Sequence, residues 1–179
     1  PPSPPATPPP VAIVDVERAR DALQGVAEEI VSAGGTAVAV TADVRDGAAM
    51  ADAADSAVEI IGGIDGVVAN VGISMAPSFT WQIDPDEWER AIGVNLTGAY
   101  HTARATVPHL IAHGPGAGIV FIASSAPVSR LPMAAPYNAA KAGVLALSRT
   151  LAQELGQFGI RSKAVLPGPV ETPMSVEVG

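Results

Sequence analysis

The sequence predicts an α/β domain of the doubly wound class, a parallel sheet in a three-layer α/β/α arrangement. Three observations predict it. Short apolar runs alternate with segments of helical period from Val11 onward, turn residues fall between them, and no segment repeats. Residues 11–14 form the first strand. Ala19, Leu23, Val26 and Ile30 then recur at helical spacing, and Gly34-Gly35 stops that helix before a second strand over residues 36–41. Asp46 can cap a helix running to about Ile61, followed by a strand at residues 66–71 and a long loop containing Trp81. Asp84-Pro85-Asp86-Glu87 supplies an N-cap, a proline at the first helical position and an acid at the third, which predicts one long helix to about His113. After a glycine-rich turn, residues 119–123 form a buried strand. Residues 137–158 form a helix with Val144, Leu147, Leu151 and Leu155 inward, and residues 162–166 the last of five parallel strands. Ligands of such sheets sit beyond the carboxyl ends of the strands, where Asp43, Asn70 and Ser124 fall.

Composition bounds what this domain can do. With 179 residues, 48% of them hydrophobic, the chain can bury one core. One domain is expected over residues 11–179. It follows a tail, residues 1–10, whose seven prolines each fix φ and remove a donor, so the tail is expected to be extended and disordered. No apolar run approaches the roughly 20 residues of a membrane span. The start lacks the basic and apolar regions of a secretory signal, so a cytoplasmic location is the default. The absence of cysteine excludes disulfides and thiolate metal sites. Ten basic against eighteen acidic residues give a net charge of −8, which opposes binding to nucleic acid or anionic membranes. His101, His109 and His113 fall on or near the long helix and read as surface or packing residues, so no metal site is expected.

Tyr137 and Lys141 stand four positions apart, hence on one face of a helix with their side chains adjacent. Working as an acid or base near neutrality requires stabilising a tyrosine phenolate against a reference pKa of about 10, and a neighbouring ammonium contributes part of that. Pro136 disfavours helix at Ala135, which places Tyr137 in the first turn, where unpaired N–H groups favour an anion. Ser124 lies thirteen positions upstream at a strand end, where a hydroxyl can bind a substrate oxygen. A Tyr-x-x-x-Lys pair alone is a common accident of helix surfaces; the strand serine and the spacing make this one specific.

Ser124, Tyr137-Asn-Ala-Ala-Lys141, Val94-Asn95-Leu96, Ala69-Asn70-Val71-Gly72 and Pro167-Gly168-Pro-Val-Glu-Thr172 together resemble the ordered motifs of the short-chain dehydrogenase/reductase family, over the span from Asp15 to Met174. The resemblance implies a Rossmann-like sheet and an NAD(P)-dependent oxidoreductase interconverting an alcohol and a ketone by hydride transfer. It implies that Tyr137 is the general acid or base and that Ser124 orients the substrate oxygen. Lys141 would lower the tyrosine pKa and bind the nicotinamide ribose, and Asn95 would hold a water in a proton relay. An amide in mid-helix can also simply bond local backbone. The resemblance also implies a homodimer or homotetramer in the full-length protein, assembled through its long helices.

The cofactor residues follow from the same resemblance. Asp15, at the end of the first strand, would accept from the adenosine ribose hydroxyls and favour NAD over NADP, although it could instead cap the next helix and nearby Arg18 could attract a phosphate. Asp43 and Val44 would contact adenine, and Asn70 and Gly72 would line the adenosine side, with Val71 bulkier than the family's usual residue. Pro167, Gly168, Val170 and Thr172 would frame the nicotinamide carboxamide, alongside Tyr137 and Lys141 at the ribose. Trp81, Met133 and Met174 are either substrate lining or plain packing.

The sequence departs from the family at both ends. No glycine precedes Gly25, so the strand and glycine-rich turn that hold the pyrophosphate at a helix N-terminus have no counterpart in this chain. The expected sheet is therefore incomplete. It would lack a central strand between those at residues 11–14 and 66–71, and also the last strand. The chain starts at Pro1 without methionine, consistent with truncation or a damaged reading frame. Two functions compete on this reading: a dehydrogenase, and a catalytically inactive remnant acting at most as an oligomerisation or interaction module.

Overall fold

The computed structural model describes residues 8–129 and 131–170. Thr172, Met174 and most of the proline-rich tail lie outside them. Five parallel strands alternate with helices: β1 (Val11–Asp15), α1 (Arg20–Ser32), β2 (Ala37–Thr41), α2 (Gly47–Ile61), β3 (Gly66–Ala69), α3 (Pro85–Ile92), α4 (Gly98–His113), β4 (Gly118–Ile122), α5 (Ala126–Ser129), α6 (Ala135–Leu155) and β5 (Arg161–Val165).

The strands divide into two sheets. β1 pairs with β2, from Val11 opposite Ala37 to Asp15 opposite Thr41. β4 is central in the other sheet, with β3 and β5 on its two sides. β1 and β3 each pair on one side only among the described residues, so the sheet is interrupted where the sequence places its gap. What joins the halves is helix packing. α2 lies against α4, and Met50, Ala53 and Ala54 share a core with Ala42, Val44 and Ala105. Gly98 permits this approach, since a Cβ there would lie 2.6 Å from a methyl carbon of the buried Val44. A second core sits under β3–β5, where Ile119 and Phe121 of β4 are fully buried with Leu110 of α4 and Val144 and Leu155 of α6. The alternate strand positions are open: Val68 of β3 is 66% exposed.

Local signals explain most element ends. The Asp46 carboxylate accepts from the N–H groups of Ala48 and Ala49 at 2.9 and 3.1 Å, and Asp84 accepts from that of Asp86 at 2.8 Å, so both predicted caps form. Gly34 and Gly62 end α1 and α2 at positive φ. Three details correct the sequence reading. The helix expected from Asp84 to His113 is three segments, because residues Gly93–Thr97 between α3 and α4 take a π-helical turn. Ala135 is helical, since Pro136 in the first turn gives up an N–H that would be unpaired there anyway, and Tyr137 remains in that turn. Finally, β3 ends at Ala69, so Asn70, Val71 and Gly72 leave the sheet as a loop.

Candidate active site

The loop after β3, the π-turn and α6 converge at one point. Asn95 is the buried residue of the π-turn, 1% exposed. Its Oδ1 accepts from the Ile73 N–H at 2.9 Å and its Nδ2 donates to the Ile73 carbonyl at 3.1 Å. The amide therefore binds backbone 22 residues away rather than its own helix, and it fixes the loop that carries Asn70 to Gly72. A Cβ on Gly72 would lie 2.8 Å from Asn95 Oδ1 and 3.3 Å from Lys141 Nζ, so only glycine fits between them. π-turns are rare and concentrate at functional sites, and here the widened turn carries the asparagine.

Lys141 is buried at 5% exposure, and its ammonium donates to the Ile122 carbonyl at the end of β4, at 2.7 Å. Burial pushes its pKa below the usual lysine range. The ammonium stands 6.0 Å from the centre of the Tyr137 ring, so the two side chains share a face of α6 as their spacing requires. Ser124 follows β4, and its Oγ accepts from the Ala126 N–H at 3.1 Å, which starts α5. The backbone on either side of the serine is held by the last strand and the loop after it: Ala123 N–H donates to Val165 O at 2.9 Å and Ser125 N–H to Pro167 O at 3.0 Å. The serine and the Pro167-Gly168 segment are thereby laid side by side.

The connection from Ser124 to Tyr137 is pinned as well. Asn138 Nδ2 donates to the Leu131 carbonyl at 2.7 Å, while Asn138 Oδ1 is buried without a partner. Met133 holds φ of +60°, the only such non-glycine residue among those described, and its carbonyl accepts from the Ser78 N–H at 3.0 Å.

The adenosine-side candidates lie at the ends of β1 and β2, in the other half of the molecule. Asp15 accepts from the Val16 N–H at 2.7 Å through Oδ1; it caps no helix. Asp43 is held by Arg45, which donates to it from its backbone at 2.9 Å and from its guanidinium at 2.6 to 3.1 Å. Those bonds, the side-chain ones most, hold the Asp43 carboxyl below its usual range. Val44 faces away from the strand ends: its side chain is buried against Gly98 and its carbonyl bonds His101 Nδ1 at 2.8 Å. Only its backbone is left for a ligand. Glu17, Arg20 and Thr41 form a second network beside Asp15, with Arg20 bound to Glu17 at 2.6 and 2.7 Å. Asn70, Gly168 and Val170 are on exposed loop backbone. The sequence reading missed the roles of Ile122, Ile73 and Asn138 in holding these groups; no side-chain pattern could reveal the first two, which act through backbone.

No described helix is long and apolar enough to cross a membrane, and no three His, Asp or Glu among the described residues are placed to hold a metal ion.

Parallel strands flanked by helices, a buried lysine, a tyrosine one turn before it and a serine just after a strand are the features by which the comparisons place this chain. Residues 10–179 match the family model for short chain dehydrogenases, and the chain belongs to that family. It is 44% identical over 132 residues to an uncharacterized NAD-dependent oxidoreductase of Mycobacterium tuberculosis, covering 74% of this chain and 48% of that protein. It is 38% identical over 154 residues to (-)-trans-carveol dehydrogenase of Rhodococcus erythropolis, covering 86% and 56%. Its fold matches the crystal structure of carveol dehydrogenase from Mycobacterium avium in complex with NAD, with a TM-score of 0.83 at 38% identity over 86% of this chain and 56% of that one. The chain thus spans about half the length of these relatives.

Proposed function

We propose that the protein interconverts an alcohol and a ketone by hydride transfer with NAD, Tyr137 moving the proton. The observation that carries this reading is the convergence of Asn95 and Lys141 on Gly72, beside Tyr137. Three chain segments far apart in sequence meet there, at the cost of a buried ammonium with one carbonyl partner. A buried cation so placed is costly for folding and useful for catalysis.

The residues present fit the two ends of a dinucleotide. Gly72 keeps the approach to Lys141 free of a side chain, and the second oxygen of Asp15 is open for a ribose hydroxyl. Arg20 and Arg45 are engaged by carboxylates and the Asp15 carboxylate repels a phosphate, which favours NAD over NADP; Arg18, near enough to Asp43 to lower its pKa, is the cation that a 2′-phosphate would use. Among the described residues no glycine-rich turn stands ready for the pyrophosphate. When bound, NAD supplies the acceptor or donor of the hydride.

The protein's own part is proton transfer. Tyr137 as phenolate accepts the hydroxyl proton of the alcohol as hydride leaves the same carbon, and in reverse returns it to the carbonyl oxygen. Lys141 stabilises the phenolate and binds the nicotinamide ribose. The Ser124 hydroxyl, its oxygen oriented by the Ala126 N–H, donates to the substrate oxygen. Asn95 has its amide engaged at Ile73, so we assign it to positioning the loop and Lys141, with any relay water held by what remains of its coordination.

A second reading has an observation in its favour. The sides of β1 and β3 that pair with no strand among the described residues suit a domain that only associates with other chains. Titrating the chain with NADH, followed by cofactor fluorescence, separates the two. Saturable micromolar binding is expected for the dehydrogenase; a folded chain that binds no NADH overturns that reading for this polypeptide.

A further inference from the structure

The path from Ser124 to Tyr137 must pass the reacting groups, and three of its described apolar side chains are exposed. Val128 is 69% exposed, Leu131 49% and Met133 37%. The loop before α3 adds Phe79 and Trp81, stacked at 4.9 Å with 10° between their rings, Trp81 being 79% exposed. A backbone hydrogen bond from Ser78 to Met133 sews the two loops together, and Asn138, next to Tyr137, holds the second loop at Leu131. Five apolar side chains are therefore carried on loops tied, through these two hydrogen bonds, to each other and to the start of the helix that bears Tyr137. Met133 takes a left-handed backbone that costs a side-chain-bearing residue about 1 kcal/mol or more, a strain that places this loop rather than stabilising it.

We infer that these residues form the wall of the substrate pocket and that it takes a ketone or secondary alcohol on an apolar ring, rather than a short polyhydroxylated substrate. This rests on the hydride-transfer reading above. An isolated exposed hydrophobe needs no explanation, but a stacked aromatic pair joined to three aliphatic side chains beside the reacting groups does. Pockets for small ligands combine such walls with a few polar groups that fix orientation, here Ser124 and Tyr137. The Phe79–Trp81 pair offers a flat apolar ring a stacking face, and Ser124 and Tyr137 offer its oxygen hydrogen bonds. A polyol would lose water along the same wall and gain no hydrogen bond in return.

The test uses the full chain in a Trp88→Phe background, leaving Trp81 as the sole tryptophan. Menthone serves as the apolar ring ketone and dihydroxyacetone as the polar one. Saturable quenching of Trp81 by menthone is expected, at least about tenfold tighter than by dihydroxyacetone, and Leu131→Asn should weaken it by about tenfold, one buried leucine's worth. Equal binding of the two ketones, or menthone quenching unchanged by Leu131→Asn, overturns the inference. So does a quenching signal that persists in Trp81→Phe, where only Trp88 emits. NADH titration of the same proteins keeps the two readings apart: NADH bound without menthone sinks the pocket wall alone, and menthone bound without NADH sinks the cofactor reading alone.

Discussion

Lys141 donates a hydrogen bond from its ammonium to the backbone carbonyl of Ile122, tying the second turn of α6 to the end of the strand that precedes Ser124. The bond fixes where the ammonium sits, and burial lowers the pKa of that ammonium. For a lysine whose folded pKa is depressed, the unfolded chain holds the proton more tightly. The desolvation cost is then fully present below the folded pKa and relieved as pH rises toward the unfolded value. Lys141→Met should therefore leave stability at pH 7 unchanged or raise it, while turnover falls by several decades. Thermal unfolding and NADH oxidation measured together check this. A large loss of stability would mean that the Ile122 bond outweighs the burial of the charge.

Asn95 is expected to act the other way. Asn95→Ala removes both bonds to Ile73 and leaves a buried hole, so unfolding in urea should show a loss of about 2–4 kcal/mol with activity lost as well. A stable, inactive variant would instead favour a direct role in proton relay.

Gly72→Ala tests the packing at the site. The added methyl group would meet Asn95 Oδ1 and Lys141 Nζ, both held in place, so a cost of about 1–3 kcal/mol is expected. NADH affinity should fall with it; an alanine tolerated at full stability and affinity would show the loop to be free to move away.

Tyr137→Phe removes only the hydroxyl. Turnover should be abolished while NADH binding stays within about twofold, and turnover that survives would mean that another group moves the proton.

Glu17 supplies a pH signature in the other sheet. Hydrogen bonds from Arg20, and next from Thr41, lower its pKa from 4.5 to about 2. A carboxyl depressed on folding contributes stability that is complete above the unfolded pKa and is lost as pH falls through the folded one. The stability difference between the protein and Glu17→Gln should accordingly be constant above pH 4.5 and shrink between pH 4.5 and 2. Because the pair is exposed, added salt should also diminish it. A difference independent of both pH and salt would dissociate Glu17 from the network.

Much of this molecule is readable from its sequence because the signals are local. Strand and helix positions follow from periods of two and 3.6, caps such as Asp46 and Asp84 act within one turn, and Tyr137 and Lys141 meet because four residues make about one turn. The interruption between β1 and β3 was legible too, since prolines cannot enter a sheet interior. The π-turn was not, because nothing in Gly93–Thr97 competes locally with an α-helix; the reward for the wider turn is the pairing of Asn95 with Ile73, 22 residues away. Nor was the hidden side chain of Val44, which is settled by its approach to Gly98 of another helix. The sequence by itself determined the family, the order of the elements and the placing of Tyr137 and Lys141 on one face of a helix. Only the tertiary structure decided that Lys141 is anchored on Ile122, that Gly72 closes on Asn95 and Lys141, and that Ser78, just before Phe79 and Trp81, is tied to Met133. Those contacts join segments whose separation no local preference can bridge; they exist because burying one core brings the segments together.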